Sequence, residues 1–360
     1  MLRRLIFATQ TIDADDPNLA QTIDIVRALA QCCGEIAVVA DRVGRHDLPP
    51  NVTFRTFGSR RRAGRAARYL AGVAGAFREG RPDAFVAHMS TYFLLLAAPL
   101  AKPLRVPLVL WYTHWLADPT LKLTDRLATV VCTVDRASYP LESDKVRPIG
   151  HAIDVDAFRP RDHAPDGAGL SLLALGKTDP WKGFPLLLDA VERLVDQGIE
   201  TRLDIRGPHL TDAQRRHREE LKARVGSSGV LGGRVRILDP VPRDRVPELM
   251  RAADAVVNPG GVKEGSEALD KVLFETAACA VPIVASHASL KDELSAQPVR
   301  LWFRPGDAED LTAVLAGLER ASPAEREEAG RRLRAWVERE HSVEHWVDGL
   351  VEVIEEVARR

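Results

Sequence analysis

The chain has 360 residues, more than one ordinary core holds, so two domains are expected. Hydrophobic residues make up 45% and charged residues 28%, and 50 basic against 51 acidic side chains leave a net charge of −1. That is ordinary globular composition, with no global argument for nucleic acid or an anionic membrane. No apolar run approaches the roughly 18 residues of a membrane-spanning helix. The opening, charged and then apolar, runs from Met1 to Thr9 straight into the polar Asp13-Ala-Asp-Asp, as a first strand does and a signal peptide does not. Cys32, Cys33, Cys132 and Cys279 lack CxxC spacing. Scattered thiols suggest a reducing, cytoplasmic compartment, with neither a disulfide framework nor a zinc site.

Residues 5–9 read as a buried strand, residues 10–17 as a polar loop, residues 18–31 as a helix and residues 35–40 as a second strand. Continuous apolar strands joined through a helix imply parallel β–α–β units. In such sheets ligands lie beyond the carboxyl ends of the strands. The loop ending at Asn18 is therefore at the ligand end. It reads Asp15-Asp16-Pro17-Asn18, without the glycine that close backbone approach to a phosphate favours. The stretch from Gly58 to Leu70 is a basic helix, and Arg61, Arg65 and Arg68 share a face at i, i+4 and i+7. It is either a solvated face or, through Arg60 to Arg68, a contact with an anionic lipid surface or phosphorylated acceptor. No aromatic residues interleave with the arginines, so nucleic acid is not indicated. Two more strands follow, residues 84–88 ending in His88 and a run from Pro107 ending in His114, so each histidine is expected at a strand's carboxyl end.

Residues 159–169, with two prolines, two glycines and several charges, form the best boundary in the chain. Expected domains are 1–158 and 159–340, with a final helix, 341–360. The second half reads a strand from residue 170 up to Gly176, helix 186–195, strand and turn 201–208, helix 212–224, strand 234–238, short helix 246–253 and strand and loop 255–261. Gly176-Lys177-Thr178 is not a phosphate-binding P-loop, since Ser171 stands where its first glycine belongs. A polar loop, a helix of about three turns and an apolar strand, Val281 to Ala285, complete a second doubly wound sheet. Glu267 and Glu275 are eight positions apart, so in one helix both carboxylates face the same way. The helix start offers free N–H groups and a positive dipole end. Together they suit a ligand with phosphate at one end and hydroxyls at the other, such as a nucleotide sugar. A solvated surface helix is the alternative. The tail from residue 307 is helical, with an apolar stripe at Trp346, Leu350, Val351 and Ile354. His341-Ser-Val-Glu344-His345 matches a zinc pattern whose third ligand lies well downstream. Only 15 residues remain after it, and no metal is expected.

Glu267-x7-Glu275 followed by Ala-Ala-Cys279-Ala-Val-Pro282-Ile-Val resembles the E-x7-E motif of retaining glycosyltransferase family 4. Gly176-Lys177-x4-Lys182-Gly183 is similar to that family's basic G-R-x-x-x-x-K-G segment. Trp111-Tyr-Thr-His114 and the run from Gly150 through Ile153, Asp154 and Phe158 to Pro160 follow the family's order. The resemblance implies a GT-B fold: two doubly wound Rossmann-like α/β domains facing across a cleft, with a C-terminal helix crossing back on the first. It implies transfer of a sugar, with retention, from a nucleotide-diphosphate sugar to a hydroxyl acceptor, in a polysaccharide, glycolipid or small-molecule glycoside. In that reading Glu275 holds the ribose, and Glu267 contacts the donor sugar near His114 and the reaction centre. Lys177 and Lys182 grip the diphosphate. The backbone of Leu269, Asp270 and Lys271 supports it, and Val241 lies near the base. Asn18, His88 and His151 fall on the acceptor side. No cofactor is implied, and the reaction is expected to be metal-independent. Two departures stand out: Ala268-Leu269-Asp270 replaces a Gly-Phe-Gly, and Ala280 replaces a glycine. An anion at Asp270 repels a diphosphate unless Lys271 offsets it. The same fold serves sugar-nucleotide epimerases, and a non-catalytic nucleotide-sugar-binding partner is the other alternative.

Overall fold

The computed structural model describes residues 1–16, 19–59, 61–114, 116–162, 165, 169–260 and 269–359. In chain order the elements are β1 (Leu2–Ile12), α1 (Thr22–Cys32), β2 (Cys33–Val43), β3 (Val52–Thr56), α2 (Arg62–Glu79), β4 (Ala84–His88), α3 (Thr91–Ala101), β5 (Leu108–Trp111), α4 (Pro119–Leu127), β6 (Val130–Thr133) and β7 (Val146–Pro148). They continue with β8 (Leu170–Leu175), α5 (Phe184–Asp196), β9 (Thr201–Arg206), α6 (Asp212–Ser227), β10 (Val235–Leu238), α7 (Val246–Arg251), β11 (Ala255–Asn258), α8 (Lys271–Ala278), β12 (Ile283–Ala285), α9 (Lys291–Ser295), α10 (Ala308–Arg320), α11 (Pro323–Glu340) and α12 (Val343–Arg359).

The chain forms two compact units: Met1–Ala152 with Glu340–Arg360, and Ile153–Arg339. The division falls between Ala152 and Ile153, ahead of the proline- and glycine-containing stretch where composition put it. Hydrogen bonds explain the difference. Arg334 on α11 donates to the Phe158 carbonyl at 3.0 Å and the Val155 carbonyl at 3.4 Å. Arg161 donates from its amide to the Cys279 carbonyl and from Nη1 to the Ala253 carbonyl. Residues that look like a linker are thus tied to the second unit.

In the first unit seven parallel strands lie in the order β3-β2-β1-β4-β5-β6-β7. The order reverses between β1 and β4, where His88 at the end of β4 meets Thr9 of β1. Leu5, Ile6 and Phe7 of β1 and Phe85 and Val86 of β4 are wholly buried, as strands covered on both faces require. α12 belongs to this unit and packs against α1. Trp346 is fully buried, its ring edge-on to Trp111 at 5.3 Å. Leu350 and Ile354 are buried with it, while Val351 is only half-buried.

The second unit holds five parallel strands in the order β10-β9-β8-β11-β12, reversing between β8 and β11. The expected helix of about three turns is the eight-residue α8, which opens at Lys271. The one-helix argument for Glu267 and Glu275 therefore has no support from α8, and Glu267 lies outside the described residues. α8 buries Leu273, Phe274, Ala277 and Ala278, and the Phe274 ring meets Trp336 of α11 at 5.3 Å. Past its end Ala280 takes a left-handed φ of 53°, a conformation that glycine adopts without strain. Among the described residues no helix is long and apolar enough to cross a membrane.

Candidate functional site

The carboxyl ends of β8 and β11 flank the reversal point of the second sheet, the place where a doubly wound sheet leaves a crevice. β8 ends at Leu175, and Gly176, Lys177 and Thr178 follow it. Thr178 is fully buried and donates its hydroxyl to the Gln214 carbonyl at 3.1 Å, which anchors the loop to α6. Pro180–Lys182 is a single 3₁₀ turn, closed by Gly183 at φ 72°. A Cβ on Gly183 would stand 2.6 Å from the Pro259 carbonyl oxygen just past β11. Only glycine lets this turn sit so close to the neighbouring strand end, and the approach brings Lys182 to the crevice.

Lys182 exposes 7% of its side chain and forms an ion pair with Asp270, the residue immediately before α8. Its Nζ lies 4.6 Å from the centroid of the half-exposed Trp181 ring. That Nζ is also 3.9 Å from where a Cβ on Gly176 would stand, so Lys182 shares the β8 edge with the backbone preceding Lys177. Asn258, the last residue of β11, donates from Nδ2 to the same Asp270 oxygen at 2.8 Å. Its Oδ1 accepts from the Gly260 amide at 3.1 Å, which fixes the way the amide faces. Burial works to raise the Asp270 carboxyl pKa. The Lys182 ammonium, the Asn258 amide and the charge of His287 outweigh it and hold the group below the usual carboxylate value. Asp270 is thus ion-paired with Lys182, a partner that the sequence reading did not name.

Lys177 is half-buried and has no ion-pair partner among the described residues. Leu269 is buried, while Lys271 is half-buried at the first turn of α8. One turn on, the Glu275 side chain is 10% exposed and accepts from Arg243 Nη1 at 3.0 Å. The Arg243 guanidinium lies over the Phe158 ring, 5.4 Å from its centroid. Val241, half-buried, is in the same loop after β10, two positions before Arg243. The site therefore assembles Lys182, Asp270, Lys271 and Glu275 with the flanks of β8 and β11. Arg243, Asn258 and Trp181 belong to it too, and the sequence reading missed them. The signal for Arg243 was weak, one arginine among several in a charged loop. For Asn258 it was a polar residue ending an apolar strand.

In the first unit His88 is buried at the end of β4, with Nδ1 3.2 Å from the Thr9 hydroxyl and its ring stacked on Phe7 at 5.5 Å. It braces the β1–β4 reversal and offers 4% of its surface to solvent. His114 stands in the loop after β5, half-buried, with Nδ1 accepting from the Leu116 amide at 3.0 Å. That bond selects the neutral tautomer protonated on Nε2, and burial lowers the pKa from its ordinary 6.5. His151 is half-buried between Gly150 at φ 78° and Ala152 at φ 57°, two left-handed residues at the unit boundary. Asn18 and Arg60 lie outside the described residues. Of the basic face, Arg65 pairs with Asp41 at 2.8 Å and Arg68 donates to the Gly58 carbonyl at 2.7 Å. Among the described residues no group of three or more His, Cys, Asp or Glu side chains has metal-holding geometry.

Residues 169–320 match the family described as "Glycosyl transferases group 1". The D-inositol 3-phosphate glycosyltransferase of Frankia alni is 31% identical over 161 residues, 41% of this chain and 38% of that protein. The protein of the same name from Mycobacteroides abscessus is 32% identical over 155 residues, 41% of this chain and 32% of that protein. The matches thus span between about a third and two-fifths of these curated relatives. Among solved structures, sucrose-phosphate synthase from Thermosynechococcus elongatus superposes with a TM-score of 0.76 over 99% of each chain, at 15% identity. HepE of Anabaena in complex with UDP gives 0.75 over 98% of this chain and 100% of that one, at 17% identity. A trehalose-6-phosphate structure from E. coli bound with UDP-2-fluoro glucose gives 0.73 over 98% and 99%, at 14% identity. At such identities the likeness is one of fold. The architecture is GT-B: two parallel-sheet, Rossmann-like units with their helices.

Proposed function

We propose that the chain is a retaining glycosyltransferase of family 4 type, which takes a sugar from a nucleotide-diphosphate sugar and passes it to a hydroxyl acceptor. One observation carries the reading. At the reversal point of the second sheet, Lys182 stands beside the Gly176 turn and pairs with Asp270 at the start of α8, the helix that carries Lys271 and, one turn on, Glu275. Cations and a helix start suit a diphosphate, and they stabilise the charge that develops as it leaves. A carboxylate one turn further on suits the paired hydroxyls of a ribose. The group 1 match over residues 169–320 supports this, as do relatives named as glycosyltransferases. So does HepE, of the same fold, whose structure was determined with UDP-glucose.

In this proposal Glu275 holds the ribose, Lys177, Lys182 and the backbone of Leu269–Lys271 hold the diphosphate, and Val241 lies by the base. Glu267 and His114 act at the sugar. Asn18, His88 and His151 are assigned to the acceptor side, His88 acting through the β1–β4 brace. Contact with an anionic, lipid-linked acceptor or membrane face through Arg61 and its neighbours belongs to the same proposal, as does a cytoplasmic location. The lysines supply the positive charge, so turnover should survive EDTA.

The test is incubation with UDP-, GDP- and ADP-sugars, with and without a panel of hydroxyl acceptors, followed by chromatography and NMR of the anomeric centre. Transfer with retained configuration supports the proposal. Conversion of donor to an epimer without acceptor, or binding with no turnover on any donor, would replace it with the epimerase or the non-catalytic partner.

A further inference from the structure

Resting on the donor site just proposed, we infer that Asp270 sets the charge that site accepts. It holds Lys182 as an internal counter-ion that an incoming diphosphate must displace, and it turns away donors whose sugar carries a further negative charge.

The observations are local and mutually consistent. Lys182 is almost fully buried, and a buried ammonium without a partner is costly. Asp270 supplies that partner from 88 positions away. The carboxylate is held on a second side by Asn258, whose own orientation is fixed by the Gly260 amide. It stands immediately before α8, where free N–H groups and the helix dipole favour an anion. All three features would serve a phosphate equally well. Asp270 therefore occupies, with its own charge, surroundings that suit the ligand's charge. The depressed carboxyl pKa means the anion persists throughout the physiological range.

Two consequences follow. Of the two lysines assigned to the diphosphate, Lys182 already has a carboxylate against it, while Lys177 has none among the described residues. Binding is then an exchange of anions around Lys182, and its affinity reflects the difference between two pairings. Once a diphosphate has arrived, the displaced carboxylate stays within reach of the donor. Neutral hydroxyls can donate to it. A sugar carboxylate cannot, and like charges repel at that range.

The experiment uses the full-length chain. Inorganic pyrophosphate serves as a base-independent probe, beside UDP, GDP and ADP, titrated calorimetrically into wild type, Asp270→Asn, Lys182→Met and the Asp270→Asn/Lys182→Met double variant. Asp270→Asn keeps the side-chain shape and removes the charge. It should tighten pyrophosphate and nucleoside diphosphate binding about tenfold or more, the scale on which one adjacent charge moves an ionisation equilibrium. It should also narrow the preference for UDP-glucose over UDP-glucuronate, read by competition. If Asp270→Asn does not fold, the remaining pair still decides. Lys182→Met leaves the carboxylate facing the diphosphate with no cation between them, so the double variant should bind tighter than Lys182→Met alone. Equal affinities for wild type and Asp270→Asn, or for Lys182→Met and the double variant, would overturn the role of Asp270. A Lys182→Met protein that binds every probe like wild type would instead overturn the donor site itself.

Discussion

Glu275→Ala tests the site through two separate readouts, and the structure sets the size of each. The carboxylate is nearly buried and meets Arg243 at 3.0 Å, while Arg243 keeps about a third of its side chain in solvent. Removing one partner of a fully buried pair costs about 3–5 kcal/mol, and the partial exposure of Arg243 brings the expected loss to about 1–3 kcal/mol. For a unit of this size each kcal/mol lowers Tm by roughly 2–4 °C. The second readout is affinity. A carboxylate holding ribose hydroxyls makes charge-assisted hydrogen bonds worth about 1.5–3 kcal/mol. Their loss weakens nucleotide binding about 10- to 150-fold. Titration calorimetry with UDP, GDP and ADP measures this below the unfolding range. Arg243→Met separates the effects. It also strips the pair, so stability falls, but it leaves the carboxylate free for the ribose, so affinity holds or rises. A folded Glu275→Ala protein that bound nucleotide like wild type would refute the ribose assignment. An Arg243→Met protein as stable as wild type would refute the account of the pair.

Lys177→Met should leave stability nearly unchanged, since among the described residues no carboxylate loses a partner; it should weaken diphosphate binding and flatten its salt dependence, measured by titration at several ionic strengths. Ala280→Gly removes a left-handed penalty of about 1–2 kcal/mol and adds a backbone-entropy cost of about 0.4–1 kcal/mol, so urea unfolding should show a small net gain in stability, and a loss would mean Ala280 is not strained. His114 has a folded pKa below its ordinary 6.5, so it stays neutral at pH 7. Because the unfolded chain binds that proton more readily, stability contributed here is present above 6.5 and declines as pH falls through the window beneath it. If neutral His114 serves the reaction, kcat should be level from pH 8 to about 6.5 and drop only below. A break above pH 7 that His114→Asn removes would contradict the lowered value.

The parallel sheets were readable because their strands are buried on both faces and appear as unbroken apolar runs. Ala84–His88 has the bounds that pattern gave it, and Thr201–Arg206 and Ala255–Asn258 open the stretches read as strand with turn and strand with loop. The start of α8 was not read correctly, and the reason is specific. Asp270 is a favoured residue type ahead of a helix, and it was the one local signal that the helix opens at Lys271. Its carboxylate makes no capping bond, however, because Lys182 and Asn258 already hold it. The unit boundary was misplaced for a similar reason. Proline and glycine describe how a segment behaves locally, whereas Arg334, far along the chain, decides which unit residues 155–158 join.

The lysines and glutamates of the motifs were legible as residue types in a pattern, but their states were not. Lys182 and Asp270 lie 88 positions apart and Arg243 and Glu275 lie 32 apart, separations at which no periodicity links one side chain to another. A motif lists charges that a ligand could meet. It does not say which of them are already met by the protein. Here Lys182 and Glu275 rest in internal pairs, and among the described residues Lys177 does not. A salt slope that counted every lysine in the motif would overstate the charge available to a diphosphate, because an exchanged partner releases less than a new one. The measured slope should therefore correspond to fewer cations than the sequence displays, and it should steepen when Asp270 is neutralised.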